Sequence, residues 1–324
     1  MTIHVLCLNP AIDKLYVIDG FEAGEDYPGQ RPQVRIGGKG VNVARVLSQL
    51  GSSVHLYALL GEESERSFRR EMEARCACTF IPVPGACRTT INVIDRKSGR
   101  ETVITESGPQ VSAEHVQALM DALGKNVCEG DMVCCSGSII AGAPRRIYAQ
   151  ISTLAQRKGA RCALDCNART LPFSLKGARY VLGKPNEREL CALLGEERTK
   201  KPEEIVELAR RLLTTYKPMF EPVHEPAYEA LVVSMGAAGG MWVDKEKALL
   251  ARIPKIAAKS TVGSGDAAFA GALHALSRGM EPEEALRLSM ACGTANAMLG
   301  EVGSVRMEDV REIQKQIVVT AIQK

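Results

Sequence analysis

Short apolar runs alternate with amphipathic helical patterns along most of this 324-residue chain, and no other feature restricts its possible folds so strongly. Residues 3–8 read as a strand. Residues 41–50 read as a helix, with Val43, Val46, Leu47 and Leu50 on one face and Gly51 as its stop. A strand over 54–60 and helices over 64–75 and 112–124 follow. Residues 131–135 form a short buried strand, and the helix after it begins at Pro144, a favoured first-turn residue. Further strands are predicted at 161–165 and 179–182, with helices at 186–194 and 202–215. Residues 231–235 and 240–243 read as strands joined by a turn. From Gly265 the tail reads as almost all helix. Alternation of this kind predicts an α/β fold with a mostly parallel central sheet covered by helices on both faces. The expectation is a single domain over 1–324. Ligands of such sheets bind beyond the carboxyl ends of the strands, so residues just after strands are the ones to inspect.

Two stretches break the rhythm. Residues 11–36 and 88–104 read as short strands with polar alternation. Lys97-Ser98-Gly99-Arg100 suits a hairpin turn between strands at 89–94 and 101–104. These segments predict a small projecting sheet, a lid over the main body. Residues 216–229 contain Pro218, Pro222 and Pro226 and read as an irregular surface loop.

Charge and composition exclude some functions. The 41 basic and 38 acidic residues give a formal net charge of +3, with no basic block or acidic tail. A nucleic-acid partner would need clustered positive charge, so none is expected. No apolar run approaches membrane-spanning length, and no membrane partner is expected. The N-terminal stretch lacks the basic region of a secretory signal. Eleven cysteines are scattered without a C-x-x-C pair, which fits reduced thiols and a cytoplasmic location.

Four segments carry candidate chemistry. In Gly37-Gly38-Lys39-Gly40-Val41-Asn42, glycines lead into a helix whose first N–H groups are free for an anion. Lys39 adds a full positive charge, and Asn42, one turn in, can point back at the same ligand. A Walker A loop is excluded, because Gly follows Lys39. In Thr261-Val262-Gly263-Ser264-Gly265-Asp266, a second glycine loop opens a long apolar helix. The N–H groups of Gly263, Ser264 and Gly265 could hold a phosphoryl group in transfer. Asp266 could accept the proton of an attacking hydroxyl or simply cap the helix. In Lys184-Pro185-Asn186-Glu187-Arg188-Glu189, Asn186 and Glu189 could form a capping box or organise Mg²⁺ through waters. In Asn9-Pro10-Ala11-Ile12-Asp13, the Asp13 carboxylate suits a pair of sugar hydroxyls. Arg88 and Asn92, on the lid, could meet a second phosphate or a hydroxyl. His55 and His274 read as structural.

Taken together, these motifs resemble the PfkB, ribokinase-like family of carbohydrate kinases. The family carries a Gly-Gly motif near the N-terminus and a signature similar to Thr261-Val-Gly-Ser-Gly-Asp266 near the C-terminus. The form Gly37-Gly-Lys39-Gly-Val-Asn42-Val-Ala44-Arg45 is similar to the 1-phosphofructokinase and tagatose-6-phosphate kinase branch, as are Asn9-Pro-Ala-Ile-Asp13 and Arg88-Thr-Thr-Ile-Asn92. Ser136-Gly137-Ser138 matches a motif of the phosphosugar members. The resemblance implies ATP-dependent phosphorylation of a ketohexose phosphate, with Mg²⁺. Asp266 would be the base, with Gly263, Ser264 and Gly265 around the transferring group. The sugar phosphate would meet Asp13, Gly38, Lys39, Asn42, Arg88, Asn92 and Ser138. The nucleotide would meet Lys184, Ser234, Gly236, Gly239 and Thr261, and Asn186 and Glu189 would serve Mg²⁺. Relatives pair their lids, so a homodimer is implied. Relatives usually carry Asn-Arg near 27–29, where this chain has Tyr27-Pro28-Gly29, and many read Thr-Glu-Ile where it has Thr102-Val103-Ile104. The loop at 216–229 is an insertion relative to them.

Overall fold

The structure is a computed structural model that describes residues 1–214 and 227–322. The strands, in chain order, are β1 (Ile3–Cys7), β2 (Ala11–Ile18), β3 (Gln33–Gly37), β4 (Val54–Gly61), β5 (Ala77–Val83), β6 (Arg88–Asp95), β7 (Glu101–Thr105), β8 (Met132–Ser136), β9 (Arg161–Asp165), β10 (Tyr180–Gly183), β11 (Tyr228–Ser234), β12 (Gly240–Asp244), β13 (Ala248–Arg252) and β14 (Val318–Ala321). The helices are α1 (Lys39–Gln49), α2 (Glu65–Met72), α3 (Ala113–Asn126), α4 (Ile147–Arg157), α5 (Leu171–Leu175), α6 (Glu187–Leu194), α7 (Pro202–Thr214), α8 (Ser264–Ser277), α9 (Pro282–Leu299) and α10 (Met307–Gln316).

Ten strands form one sheet in the order β14-β13-β12-β11-β10-β9-β8-β1-β4-β5. The run from β11 to β5 is parallel, and β12, β13 and β14 add on antiparallel. Alternation along each strand sends side chains to two cores. In β1, Ile3, Val5 and Cys7 join the layer covered by α1, α2, α8, α9 and α10, while Leu6 joins the layer under α3, α4, α6 and α7. The mostly parallel sheet with helices on both faces is the fold that the strand–helix alternation predicts.

A second sheet, ordered β3-β2-β6-β7, stands apart from the first. It uses residues from both of the segments read as lid. Its inner pair, β2 and β6, is parallel, and its outer pairs are antiparallel.

Several expectations need correction. β5, β13, β14 and α5 were not foreseen, and the tail after Gly265 ends in a strand rather than a helix. The helix expected from Pro144 begins at Ile147. Of the loop expected at 216–229, residues 216–226 lie outside the described residues, and Tyr228 and Glu229 already belong to β11. Residue 215 of the helix expected at 202–215 also lies outside them.

α1 lies closely against β1. A Cβ on Gly40 would meet Leu6 O at 2.5 Å and Cys7 Cβ at 2.7 Å, so only glycine lets the helix start there. That closeness brings Lys39 and Asn42 to the carboxyl end of the sheet. Among the described residues, no helix is long and apolar enough to cross a membrane.

Candidate active site

One cleft of about 1020 Å³ opens at the carboxyl ends of the parallel strands, between the main sheet and the lid. Asp165 closes β9, Lys184 follows β10 and Ser234 closes β11. α1 and α8 both point their N-termini into this region.

The centre of the cleft is a helix start. Gly263 precedes α8 with φ 78°, a left-handed conformation, and a Cβ there would meet Gly303 N at 2.5 Å. Both facts require glycine. Ser264 Oγ donates to Asn296 Oδ1 at 3.1 Å, and Asn296 Nδ2 donates to the carbonyls of Glu301 and Ser304. The loop at 301–304 is thereby tied to the turn. The Ser264 N–H donates to Thr261 O at 3.2 Å, so it is spent within the loop. This corrects the expectation that Gly263, Ser264 and Gly265 all offer free N–H groups. Among the described residues, those of Gly263, Gly265 and Asp266 donate to no protein acceptor, and the macrodipole adds partial positive charge at the same end.

Asp266 is the third residue of α8 and only 6 % exposed. Its Oδ2 accepts a bond of 2.8 Å from Asn42 Nδ2. Burial pushes its carboxyl up to about 6, and the nearby Asp165 charge pushes the same way. Lys39, the Asn42 bond and Lys184 pull it back down.

Asp165, 2 % exposed, lies between two lysines. Lys39 Nζ is 3.4 Å from each of its oxygens, and Lys184 Nζ is 3.9 Å from Oδ2. The Asp165 charge, above all, holds the Lys39 ammonium well above the usual lysine range. A Cβ at Gly265 would stand 3.3 Å from Lys184 Nζ, so this ammonium lies across the start of α8. Two lysines, the α8 N–H groups and a carboxylate acceptor therefore share one small space. The arrangement can hold a polyanion, stabilise charge that develops on it, and take up a proton beside it.

On the lid side, Asp13 lies on β2 beside β6. Burial raises its carboxyl, while Thr90, Arg88 and Arg45 oppose that rise. A Cβ at Gly37 would stand 1.9 Å from Asp13 Oδ2, so glycine makes room for this carboxylate. Arg88 Nε donates to Asn9 O at 3.3 Å. On the opposite side, Ile253, Pro254, Ile256, Ala258, Met290 and Ala297 make an apolar slot beside the turn carrying Gly236 and Gly239. Gly239 has φ 98°, and a Cβ there would meet Ala251 O at 2.0 Å. Such a slot fits a flat aromatic base.

The cleft lining contains Asp13, Gly38, Lys39, Asn42, Arg88, Asn92, Lys184, Asn186, Glu189, Ser234, Gly236, Gly239, Thr261, Gly263, Ser264, Gly265 and Asp266. Ser138 stands outside it, and its hydroxyl accepts from Asn9 Nδ2 at 3.2 Å. Asn42, expected to face an anion, uses its amide on Asp266 instead. Asn186 and Glu189 form a reciprocal capping box, Glu189 N to Asn186 Oδ1 at 2.8 Å and Asn186 N to Glu189 Oε2 at 3.0 Å. Among the described residues, no group of three or more His, Cys, Asp or Glu is placed to hold a metal. The amide oxygen of Asn186 and the carboxylate of Glu189, both in the cleft lining, suit a cation that keeps water and phosphate oxygens in its shell, as Mg²⁺ does. His55 and His274 bond to Thr79 and Ser52, away from this cleft.

Sequence reasoning missed Asp165 and Arg45. Asp165 carried one signal, its place at the carboxyl end of a predicted strand. Arg45 carried one signal, its place at the end of the Gly37–Arg45 motif, but nothing in the sequence showed its partners.

The pfkB family carbohydrate kinase model matches residues 7–306. A curated 1-phosphofructokinase of Rhodobacter capsulatus is 34% identical over 94% of this chain and 92% of that protein. The tetrameric inhibited form of phosphofructokinase-2 from Escherichia coli superposes with a TM-score of 0.85 at 24% identity, covering 97% of this chain and 98% of that one. Ribokinase from Thermotoga maritima gives 0.71 at 19% identity, covering 97% and 99%.

The raised Asp266 carboxyl has a consequence for stability. The folded state binds this proton more tightly than the unfolded chain, so the group costs stability once the pH rises through the range from about 4 to about 6. Asp266→Asn is therefore expected to stabilise the protein at pH 8 by on the order of 1–3 kcal/mol in denaturant unfolding. The gain should shrink toward pH 4. A gain equal at both pH values would contradict the raised carboxyl.

Proposed function

Because the chain belongs to the pfkB family of carbohydrate kinases, we propose that it transfers the γ-phosphoryl group of ATP to the free primary hydroxyl of fructose 1-phosphate, giving fructose 1,6-bisphosphate and ADP. The observation that carries this reading is the buried Asp266 at the start of α8, beside free N–H groups and two lysines. The choice of sugar is supported by the 34% identical relative, which is a 1-phosphofructokinase.

The hydroxyl oxygen attacks phosphorus in line with the bond to ADP. That bond breaks as the new P–O bond forms, and the hydroxyl proton passes to Asp266. The N–H groups of Gly265 and Asp266 and the ammonium of Lys184 face charge developing on the equatorial oxygens. Lys39 and Arg88 hold the sugar phosphate as a pair of cations, and Asp13 and Asn92 take sugar hydroxyls. Gly236, Gly239, Ser234 and Thr261 border the nucleotide slot. When bound, Mg²⁺ neutralises phosphate oxygens, and Asn186 and Glu189 would hold it through water. Closure of the lid excludes water, which would otherwise accept the phosphoryl group. The reading takes the chain as one domain and places it in the cytoplasm, where its eleven unpaired thiols stay reduced.

The lid also bears on assembly. Val34 and Ile104 are 57% and 56% exposed on the face of the small sheet turned away from the cleft. A four-stranded sheet with apolar residues in water gains by burying them, and the reading pairs two lids in a homodimer.

Two tests follow. Asp266→Asn should lower kcat by about 10²–10⁴-fold while calorimetry still shows sugar phosphate binding; near-normal turnover would remove the base assignment. Lys39→Met should raise KM for the sugar phosphate more than KM for ATP. Sedimentation at micromolar concentration should show a dimer that Ile104→Lys dissociates, and a wild-type monomer would overturn the lid pairing.

A further inference from the structure

Arg45 is a charged residue buried to 4 % exposure on α1, next to no ligand of the proposed reaction. Its guanidinium is used from every side. Nε donates to Glu71 Oε1 on α2 at 2.8 Å, and Nη2 donates to Ile36 O, near the end of lid strand β3, at 2.9 Å. Nη1 donates to Val302 O at 3.2 Å and to Asn42 Oδ1 at 3.0 Å. The last contact decides the orientation of an amide. Arginine has no acceptor, so the Asn42 atom facing it must be oxygen. The amide nitrogen of Asn42 is then turned to Asp266, where it donates to Oδ2 at 2.8 Å. With the amide reversed, an oxygen would face the carboxylate and a donor would face the guanidinium, and both contacts would repel.

We propose that Arg45 is a positioning residue for the phosphoryl transfer: through Asn42 it fixes the orientation and ionisation of Asp266 and joins both to the lid strand. This rests on the reading of Asp266 as the base. Arg45 reaches no substrate and is not itself catalytic. The groups that face Asp266 are Lys39 and Asn42 from α1, Asp165 from β9, and Lys184 after β10. Those near Arg45 are Glu71, Arg75 and Arg35, and Arg35 is itself paired with Glu301 at 3.2 Å. A bond donated to an ionised carboxylate favours that ionised form. Loss of Arg45 frees the Asn42 amide to turn and weakens the bond, so the Asp266 proton should be held more tightly.

The test is the pH dependence of kcat/KM for wild type, Arg45→Met, Arg45→Lys and Glu71→Gln, with Asp266→Asn as control. In Arg45→Met, the acid limb should move to higher pH by about half a unit or more, with activity near pH 6 falling by about two-fold or more beyond any loss at pH 8.5. Arg45→Lys keeps one donor and should restore part of the shift. Glu71→Gln leaves the guanidinium in place and should move the limb less, in the same direction. If Arg45→Met does not fold, the Glu71→Gln and Arg45→Lys profiles decide the matter. An equal loss at every pH with the limb unmoved would make Arg45 a purely structural residue and overturn the proposal. Retained turnover in Asp266→Asn would instead overturn the assignment of the base.

Discussion

Asp165 and Asp266 are two buried carboxylates in one site, and burying a carboxylate is costly unless positive partners meet it. Lys39 and Lys184 supply them, one from the first turn of α1 and one from the end of β10. Asp165 takes both ammonium groups at 3.4–3.9 Å. Asp266 has the weaker compensation, a single amide bond and more distant lysines, and burial pushes its carboxyl up to about 6. A general base works best when its pKa lies near the working pH. The unequal sharing of two lysines between two acids therefore leaves Asp165 doubly paired and Asp266 with a raised carboxyl, as the proposed base requires.

The fold serves that cluster. Parallel strands deliver Asp165, Lys184 and Ser234 to one edge, and glycines at 40, 263 and 303 let α1, α8 and the loop at 302–303 come close enough to touch. The small sheet then covers the site with Asp13, Arg88 and Asn92. Burial that would be costly elsewhere is what strengthens the electrostatics here.

Much of this was legible in the sequence. The strand–helix rhythm predicts the parallel sheet, and the glycine loops before α1 and α8 mark the ends that face the cleft. What stayed hidden has physical causes. β5 carries Pro82 on the sheet edge, and β13, Ala-Leu-Leu-Ala-Arg, has the composition of a helix. β14 is short and largely exposed, so no burial pattern announces it. Asp165 meets Lys39 across 126 residues of chain. Arg45 acquires its role only from carbonyls contributed by β3 and the loop after α9. Asn42 was visible as a polar residue near a glycine turn, but its partner was set by packing.

The account turns on a buried site that accepts a phosphorylated ketohexose. The most direct measurement is ADP release by the purified protein with Mg-ATP, across fructose 1-phosphate, fructose 6-phosphate, tagatose 6-phosphate, fructose and ribose. The expected result is the highest kcat/KM with fructose 1-phosphate. Preference for another phosphorylated ketohexose would move the assigned sugar while leaving the site intact. Preference for fructose or ribose would contradict the roles given to Lys39 and Arg88.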